Sequence, residues 1–451
     1  MKVNVQNKTA CIILAAGKGT RMKSLKPKVM HAVAGKPMVQ HVIDTARSLK
    51  ADKIVLVSSP DMAPVRDAMK RQYKEVIENA IQQEQRGTGD AVKAARQLKD
   101  FSGTVFILYA DTPLIRPETL DAMSALLKKE AKLGLVVLGM EVDMPNEYGR
   151  LVVNSKGGVE RIVEARDANA KEKAIKLCNS GVMAVRGKLL FPLLSRLTNK
   201  NSKKEFYLTD IVALARKDGH NCGVISTSAT ELLGVNSRAE LAVAEATLQK
   251  RLRKQAMDNG VTLIDPASVF LSHDTKIASD VIIHPHVIFG PGVEVASDVE
   301  IRSFCHIEAA KIDKGATIGP FARLRPGAHI GAAAHIGNFV EIKKAKIEHG
   351  AKVNHLSYIG DAYVGANANI GAGTITCNYD GFSKHHTDIG AGAFIGSNTS
   401  LVAPVTVGEG AVIGAGSVIT EDVEANALAI TRAIQKQKPG WAKALRNKKS
   451  H

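Results

Sequence analysis

Aromatic residues are scarce in this chain, 4% of 451, with a single tryptophan. A core short of large rings must be filled by aliphatic and small side chains, and hydrophobic residues still reach 45%. That balance permits a regular solenoid as readily as an ordinary globular core. Cysteine is equally thin. Cys11, Cys178, Cys222, Cys305 and Cys377 are odd in number, scattered, and nowhere spaced C-x-x-C. The pattern supports neither a disulfide framework nor a zinc site. No apolar stretch is long enough to cross a bilayer, and the opening residues Met1–Lys8 lack the apolar run of a signal peptide. The expectation is a cytoplasmic protein in a reducing compartment, with no membrane insertion.

Acids are outnumbered: 44 Asp and Glu face 61 Lys and Arg, a formal charge of +17. Such an excess calls for an anionic partner. The basic residues are spread along the chain, except in a tail where Lys436, Lys438, Lys443, Arg446, Lys448 and Lys449 stand without an acid. Dispersed charge favours phosphorylated small molecules over nucleic acid, and a solvated basic surface accounts for much of the rest. The length implies two or three domains.

The first half alternates β and α patterns. Apolar runs at Ala10–Leu14, Ile54–Val57, Val105–Tyr109 and Leu135–Leu138 read as buried parallel strands, separated by helical patterns such as Pro37–Leu49 and Thr88–Leu98. This order predicts a doubly wound, Rossmann-like α/β sheet, with the β-rich stretch Leu151–Val185 as an insert over its ligand edge. Ser237 and Glu240 form a capping box. Leu241, Ala244, Leu248 and Leu252 then repeat at helical spacing until Asn259-Gly260. The domains expected are therefore 1–236, a linker helix 237–259, a second domain 260–434, and a basic tail 435–451.

From Ile277 a six-residue period sets in. Aliphatic side chains recur at Ile283, Phe289, Val295, Ile301 and Ile307, then at Ile318, Leu324, Ile330, Ile336 and Ile342, and again at Ile389, Ile395, Leu401, Val407, Ile413 and Ile419. Four positions after each stands a small or branched residue. Neither a helix nor a plain strand has that period, but a triangular parallel solenoid does: each hexapeptide makes one side and one corner. Five-residue steps such as Ile342→Ile347 read as corner deletions, and the gap between Ile370 and Ile389 as a loop extruded from a corner.

Leu14-Ala15-Ala16-Gly17-Lys18-Gly19-Thr20-Arg21-Met22, followed by Pro27-Lys28, closes the first strand. Glycine at such a turn lets backbone amides approach phosphate. Neither the third glycine of a dinucleotide fingerprint nor a P-loop is present. The specific feature is the cation pair, Arg21 and Lys28, able to neutralise charge that builds on a triphosphate.

With L-x-x-G-x-G-T-R-M…P-K in front and a hexapeptide solenoid containing Asn378-Tyr379-Asp380-Gly381 behind, the chain resembles a bacterial family: the bifunctional N-acetylglucosamine-1-phosphate uridylyltransferases/glucosamine-1-phosphate acetyltransferases. The likeness runs from about Leu14 to Trp441. It implies a left-handed winding, and acetylation of glucosamine-1-phosphate by acetyl-CoA followed by Mg²⁺-dependent uridylyl transfer from UTP to N-acetylglucosamine-1-phosphate. The product would be a precursor for peptidoglycan and lipopolysaccharide, and the assembly a homotrimer.

The resemblance also implies site residues. The nucleotide would be held by Leu14, Ala15, Ala16, Gly17, Lys28, Gln82, Gly87, Thr88, Tyr109 and Ala110, and its sugar by Gly149, Glu164 and Asn179. Asp111 and Asn236 would hold the metal, a hard-oxygen pair suited to Mg²⁺. In the solenoid it assigns His355 as base, and Arg325, Lys343, Tyr358, Asn369 and Lys384 to the sugar phosphate. Ala372, Asn378, Tyr379, Ser397, Ala415 and Arg432 fall to acetyl-CoA. Ala110 stands where the family usually has glycine, which predicts slight crowding of the nucleotide, and Lys26 replaces an apolar residue before Pro27. Two rivals stay open on sequence: a transferase for another sugar or nucleotide with a regulatory solenoid, and a solenoid that serves only as an oligomerisation scaffold.

Overall fold

The computed structural model describes residues 8–74, 77–143 and 146–449. The opening heptapeptide and the last two residues of the basic tail lie outside the described residues. The chain divides into two compact units, Met1–Leu248 and Gln249–His451.

In the first unit, strands β1 (Thr9–Leu14), β2 (Lys53–Ser58), β3 (Ile77–Ile81), β4 (Thr104–Tyr109) and β5 (Leu133–Glu141) alternate with helices α1 (Met38–Ser48), α2 (Ala63–Tyr73), α3 (Thr88–Lys93) and α4 (Pro117–Lys129). The hairpin β6 (Arg150–Val153) and β7 (Val159–Val163) precedes β8 (Leu177–Arg186), and β9 (Asn221–Thr227) closes the sheet. The sheet order is β9-β5-β8-β4-β1-β2-β3. β1 runs parallel to both β2 and β4, and every β1 residue from Ala10 to Ile13 is fully buried. Helices cover both faces, so a continuous apolar run is what such a strand needs.

Three expectations are corrected. The sheet is mixed, because β8 lies antiparallel between β4 and β5. The stretch Leu151–Val185 is accordingly an insert only in its β6–β7 hairpin; buried Val182, Met183, Ala184 and Val185 belong to the main sheet. The helical pattern Thr88–Leu98 is also shorter than expected: α3 stops at Lys93, and a single 3₁₀ turn follows at Arg96–Leu98.

Helix α5 (Arg238–Asp258) spans the division between the units. The amide of Glu240 donates to Ser237 Oγ at 3.2 Å. The Glu240 carboxylate reaches back one residue further than a standard capping box, accepting from the Asn236 amide at 2.8 Å. Leu241, Ala244 and Leu248 pack in a small cluster with Val33, Met38 and Val235 of the first unit. Leu252 and Ala256 lie against the core of the second.

That second core is a prism of stacked aliphatics. Ile301, Ile318, Ile336, Val353, Ile370, Ile395 and Ile413 pair in register, rung on rung, along one parallel sheet. All are essentially buried. Each stabilises the fold by about 1.5–3 kcal/mol through burial. Where five-residue steps remove a corner residue, Glu341–Ile347 and Tyr358–Val364 run as single strands that pair on two faces.

One corner is built from left-handed residues, and its side chains change along the prism. Phe304, Phe321 and Phe339 have φ of 63°, 57° and 56°, and Leu356 follows at 51°. The three rings stack with centroids 4.8 and 5.1 Å apart. Such stacking offsets part of the strain that a bulky residue incurs at positive φ. Beyond Leu356 the corner residues become Gly373, Asn398 and Gly416. The wall of large side chains ends there.

Candidate functional site

In the first unit, the carboxyl ends of β1, β3 and β4 open on a cavity of about 320 Å³. Leu14, Ala15, Ala16, Gly17, Lys28, Gln82, Gly87, Thr88, Tyr109 and Asp111 line it, together with Val29, Gln85, Ala91 and Glu205. The position follows from the topology: in open α/β sheets ligands bind beyond the carboxyl ends of the strands. A Cβ built on Gly17 would meet nothing within 4 Å, so the backbone there is bare toward the cavity. A Cβ on Gly19 would stand 2.6 Å from Cβ of Lys28. Glycine is required at that turn for the lysine to fold in beside the loop.

Lys28 is 8% exposed despite its charge, and its ammonium is held by two oxygens. One belongs to the Asp111 carboxylate in a short ion pair, the other is Asn236 Oδ1 at 2.9 Å. The backbone tightens this group, since Val235 N donates to Asp111 O at 2.9 Å. Two hard oxygens from distant segments thus converge on one positive charge. The lysine ammonium stands in for a cation, and the donor set fits a divalent ion that draws its other ligands from phosphate and water. Among the described residues no cluster of three or more His, Cys, Asp or Glu has metal-binding geometry.

Next to it lie the expected sugar contacts. Asn179 N donates to Gly149 O at 2.8 Å. A Cβ on Gly149 would be 3.6 Å from Glu164 Oε2. Thr209 Oγ1 donates to Glu164 Oε1 at 3.1 Å. Burial, then the nearby Asp111 and Glu164 carboxylates, push the Tyr109 phenol well above its ordinary pKa.

Two residues differ from expectation. Ala110 is fully buried and belongs to the hydrophobic cluster behind the sheet. Its methyl therefore fills core space and is absent from the cavity lining, so the anticipated crowding does not arise. Arg21 is exposed in a 3₁₀ turn and is not among the lining residues. Gln85, which donates to Ala16 O, and Glu205 were missed. Their role depends on chain segments far apart in sequence, and no local motif marks them.

In the second unit, Arg325 Nη1 donates to Glu341 Oε1 at 2.7 Å, and the register of Leu324 with Ile342 sets Arg325 one rung from Lys343. Tyr358 pairs with Glu341, and Lys343 with Gly360. A Cβ on Gly360 would lie 2.3 Å from the Tyr358 hydroxyl, so glycine lets the phenol lie flat. Buried Asn378 donates to Asp361 Oδ2 at 2.6 Å and to Tyr358 Oη at 3.4 Å. Arg325, Lys343, Tyr358 and Asn378 thus share one surface, to which sequence reasoning had not added Glu341.

The loop after Asn378 is a tight hairpin. Tyr379 bridges Lys384, and the Lys384 ammonium rests 4.7 Å above the Tyr379 ring instead of joining the Arg325–Glu341 pair. Asn369 lies on another face, in register with Lys352 and Phe394.

His355 stands immediately before the left-handed corner at Leu356. The residues that hold the same pre-corner position on the following rungs are Ala372, Ser397 and Ala415. Arg432 Nη1 donates to Ala415 O at 2.5 Å and closes this file. The file is a track of small side chains, beside a corner reduced to Gly373, Asn398 and Gly416. It leads to the His355 ring, whose Nδ1 is 2.6 Å from Asn338 Oδ1. His355 is exposed.

Residues 11–207 match the MobA-like NTP transferase domain family, and residues 386–421 match the bacterial transferase hexapeptide family. The chain is 57% identical to the bifunctional protein GlmU of Paramagnetospirillum magneticum over 98% of its own length and 97% of that relative's. It is 57% identical to that of Rhodospirillum rubrum over 97% of each chain. It is 50% identical to that of Zymomonas mobilis over 98% of each.

Proposed function

The chain belongs to the bifunctional GlmU family, and from that premise we propose how its two sites divide the synthesis of UDP-N-acetylglucosamine. It is both a nucleotidyltransferase and an acyltransferase, with a Rossmann-like domain followed by a left-handed β-helix. No helix among the described residues is long and apolar enough to cross a membrane. Reaction would take place in the cytoplasm.

In the β-helix, acetyl-CoA lies along the Ala372–Ser397–Ala415 file, with Arg432 and the Asn378-Tyr379 hairpin beside it. Its thioester then ends at His355. Arg325 and Lys343 fix the phosphate of glucosamine-1-phosphate, with Tyr358 toward the sugar, which contributes by orientation. Asn369, on another face, would reach the sugar bound at a neighbouring copy. His355 accepts the proton that the 2-amino group sheds as it attacks the thioester. Three copies of the prism would assemble, with Lys384 on its exposed hairpin serving a neighbouring copy.

In the first unit, the bare backbone at Gly17 and the Gln82, Gly87 and Thr88 segment hold UTP. Gly149, Glu164 and Asn179 hold N-acetylglucosamine-1-phosphate, whose phosphate attacks the α-phosphorus and releases pyrophosphate. Asp111 and Asn236 would hold Mg²⁺, which supplies positive charge to the phosphates when bound. Lys28, released from those two oxygens, then faces the α-phosphate, and Arg21 adds charge from the turn.

The file of small residues ending at His355 carries this reading, because a mere scaffold has no need of it. The test is product analysis with acetyl-CoA, glucosamine-1-phosphate, UTP and Mg²⁺. UDP-N-acetylglucosamine should form only when all four are present. Supplying N-acetylglucosamine-1-phosphate should remove the need for acetyl-CoA. Conversion of glucosamine-1-phosphate straight to a nucleotide sugar at an equal rate would refute the order of steps.

A further inference from the structure

We propose that Asn338 is a positioning residue for acetyl transfer, fixing the tautomer of His355; the inference rests on His355 being the base. Asn338 and His355 are register partners in adjacent parallel strands, and both stand directly before a left-handed corner residue, Phe339 and Leu356. The two side chains therefore project from equivalent points of successive rungs and meet, with Oδ1 and Nδ1 2.6 Å apart. The backbone carbonyl of Asn338 also accepts from the amide of Leu356 at 3.1 Å. One residue thus holds both the imidazole and the corner that aims it.

An amide oxygen only accepts, so this bond demands a proton on Nδ1 and leaves Nε2 as the basic nitrogen. His355 is exposed, and without Asn338 water would partner either nitrogen, so both tautomers would be populated. When the substrate amine gives its proton to Nε2, the imidazolium keeps its Nδ1–H bond to Asn338. The neutral amide takes no proton itself. Its contribution is to hold the free lone pair at one place in every encounter, which acts on the chemical step and not on substrate affinity.

Rates of both half-reactions should be measured on the full chain for N338L, N338D and H355A. N338L should lower kcat for acetyl transfer about tenfold or more. Its KM values for acetyl-CoA and glucosamine-1-phosphate should hardly move, and uridylyl transfer should be unchanged. N338D, whose carboxylate accepts the same N–H, should recover most of the rate. In the wild-type protein, ¹⁵N spectra of His355 near neutral pH should place the proton on Nδ1, a readout that does not depend on any variant folding. A proton on Nε2, wild-type kcat in N338L, or a loss confined to KM overturns the proposal. If H355A keeps full acetyl transfer, the underlying assignment of the base fails. If H355A is inactive while N338L is not, only the role of Asn338 fails.

Discussion

Arg238 donates to Nδ1 of His31 at 3.1 Å, tying the chain just beyond Asn236 to the chain just beyond Lys28. A guanidinium only donates, so the imidazole must be neutral with its proton on Nε2. Burial, then the Arg238 and Lys26 charges, lower the His31 pKa in the same direction. The second link in this clamp is the bond from the His31 amide to Lys28 O at 3.2 Å.

His31→Leu keeps that backbone bond and removes the side-chain acceptor. Loss of one charge-assisted bond predicts uridylyl transfer slower by about tenfold, with acetyl transfer unaltered. Assays of the two half-reactions on one preparation check this. Equal losses in both would mean a general folding defect instead of a misplaced Lys28–Asn236 pair.

On the proposed reading, Lys28 and a divalent ion compete for the same two oxygens, those of Asp111 and Asn236. Asp111→Ala should therefore abolish uridylyl transfer and leave acetyl transfer within about twofold of normal, and Lys28→Ala should slow it by about 10²–10³. In titrations without nucleotide, however, Lys28→Ala should bind Mn²⁺ or Mg²⁺ more tightly than the wild type, since the resident ammonium is gone. Unchanged or weaker metal binding would show that the lysine does not occupy the metal's place.

The six-residue period made the prism legible because every inward side chain announces itself by type. Strand direction left no such mark. The run Val182–Val185 is apolar whichever way it lies, and only the structure shows it entering the main sheet antiparallel. The file of small residues proposed for acetyl-CoA was harder still. Ala372 and Ser397 are adjacent on the prism, yet the extruded loop stretches their spacing in sequence and hides the alignment. Asn338 carried a weak signal, the position just before a corner one rung ahead of His355, but an amide has no reactivity to draw the eye. The cluster around Lys28 was readable only in part. Asp111 and Asn236 followed from the family resemblance, whereas Gln85, Glu205 and His31 depend on tertiary contacts.

Thiol chemistry should be confined to one residue. Burial pushes the Cys11 and Cys222 thiols up to about 12 and that of Cys305 to about 11, and Cys178 is raised by the same cause. Cys377 alone is partly exposed, and it adjoins Asn378. A maleimide at neutral pH should label Cys377 first, since reactivity follows thiolate fraction and access. Acetyl transfer should fall in step with labelling while uridylyl transfer persists, and Cys377→Ser should resist. Peptide mapping that finds a buried cysteine labelled first would contradict this.

The hairpin beside that cysteine depends on Asp380. Its Oδ1 accepts from the amides of Phe382 and Ser383, both at 2.7 Å, and its Oδ2 from His385 Nε2 at 2.7 Å. These bonds, led by the one from Ser383, hold the carboxyl well below the usual carboxylate range. A folded pKa below the unfolded value of about 3.9 means the hairpin's stabilisation is complete above that value. It is lost only as pH falls further, toward the folded pKa. Asp380 should therefore impose no limb on acetyl transfer at any pH above about 5. Asp380→Ala removes all three acceptor contacts at once. The hairpin also receives Asn378, whose carbonyl accepts from His385 N at 2.9 Å, so the variant should loosen the acetyl-CoA side of the site. KM for acetyl-CoA should rise about three- to tenfold, with a smaller change in kcat and none in uridylyl transfer. Asp380→Asn keeps an oxygen for the two amides and should fall between. In wild-type spectra the Phe382 and Ser383 amide signals should hold their positions from neutral pH down to about 4 and shift only well below it, toward the folded pKa. A transition anywhere above about pH 4 would overturn the role given to the Asp380 carboxylate.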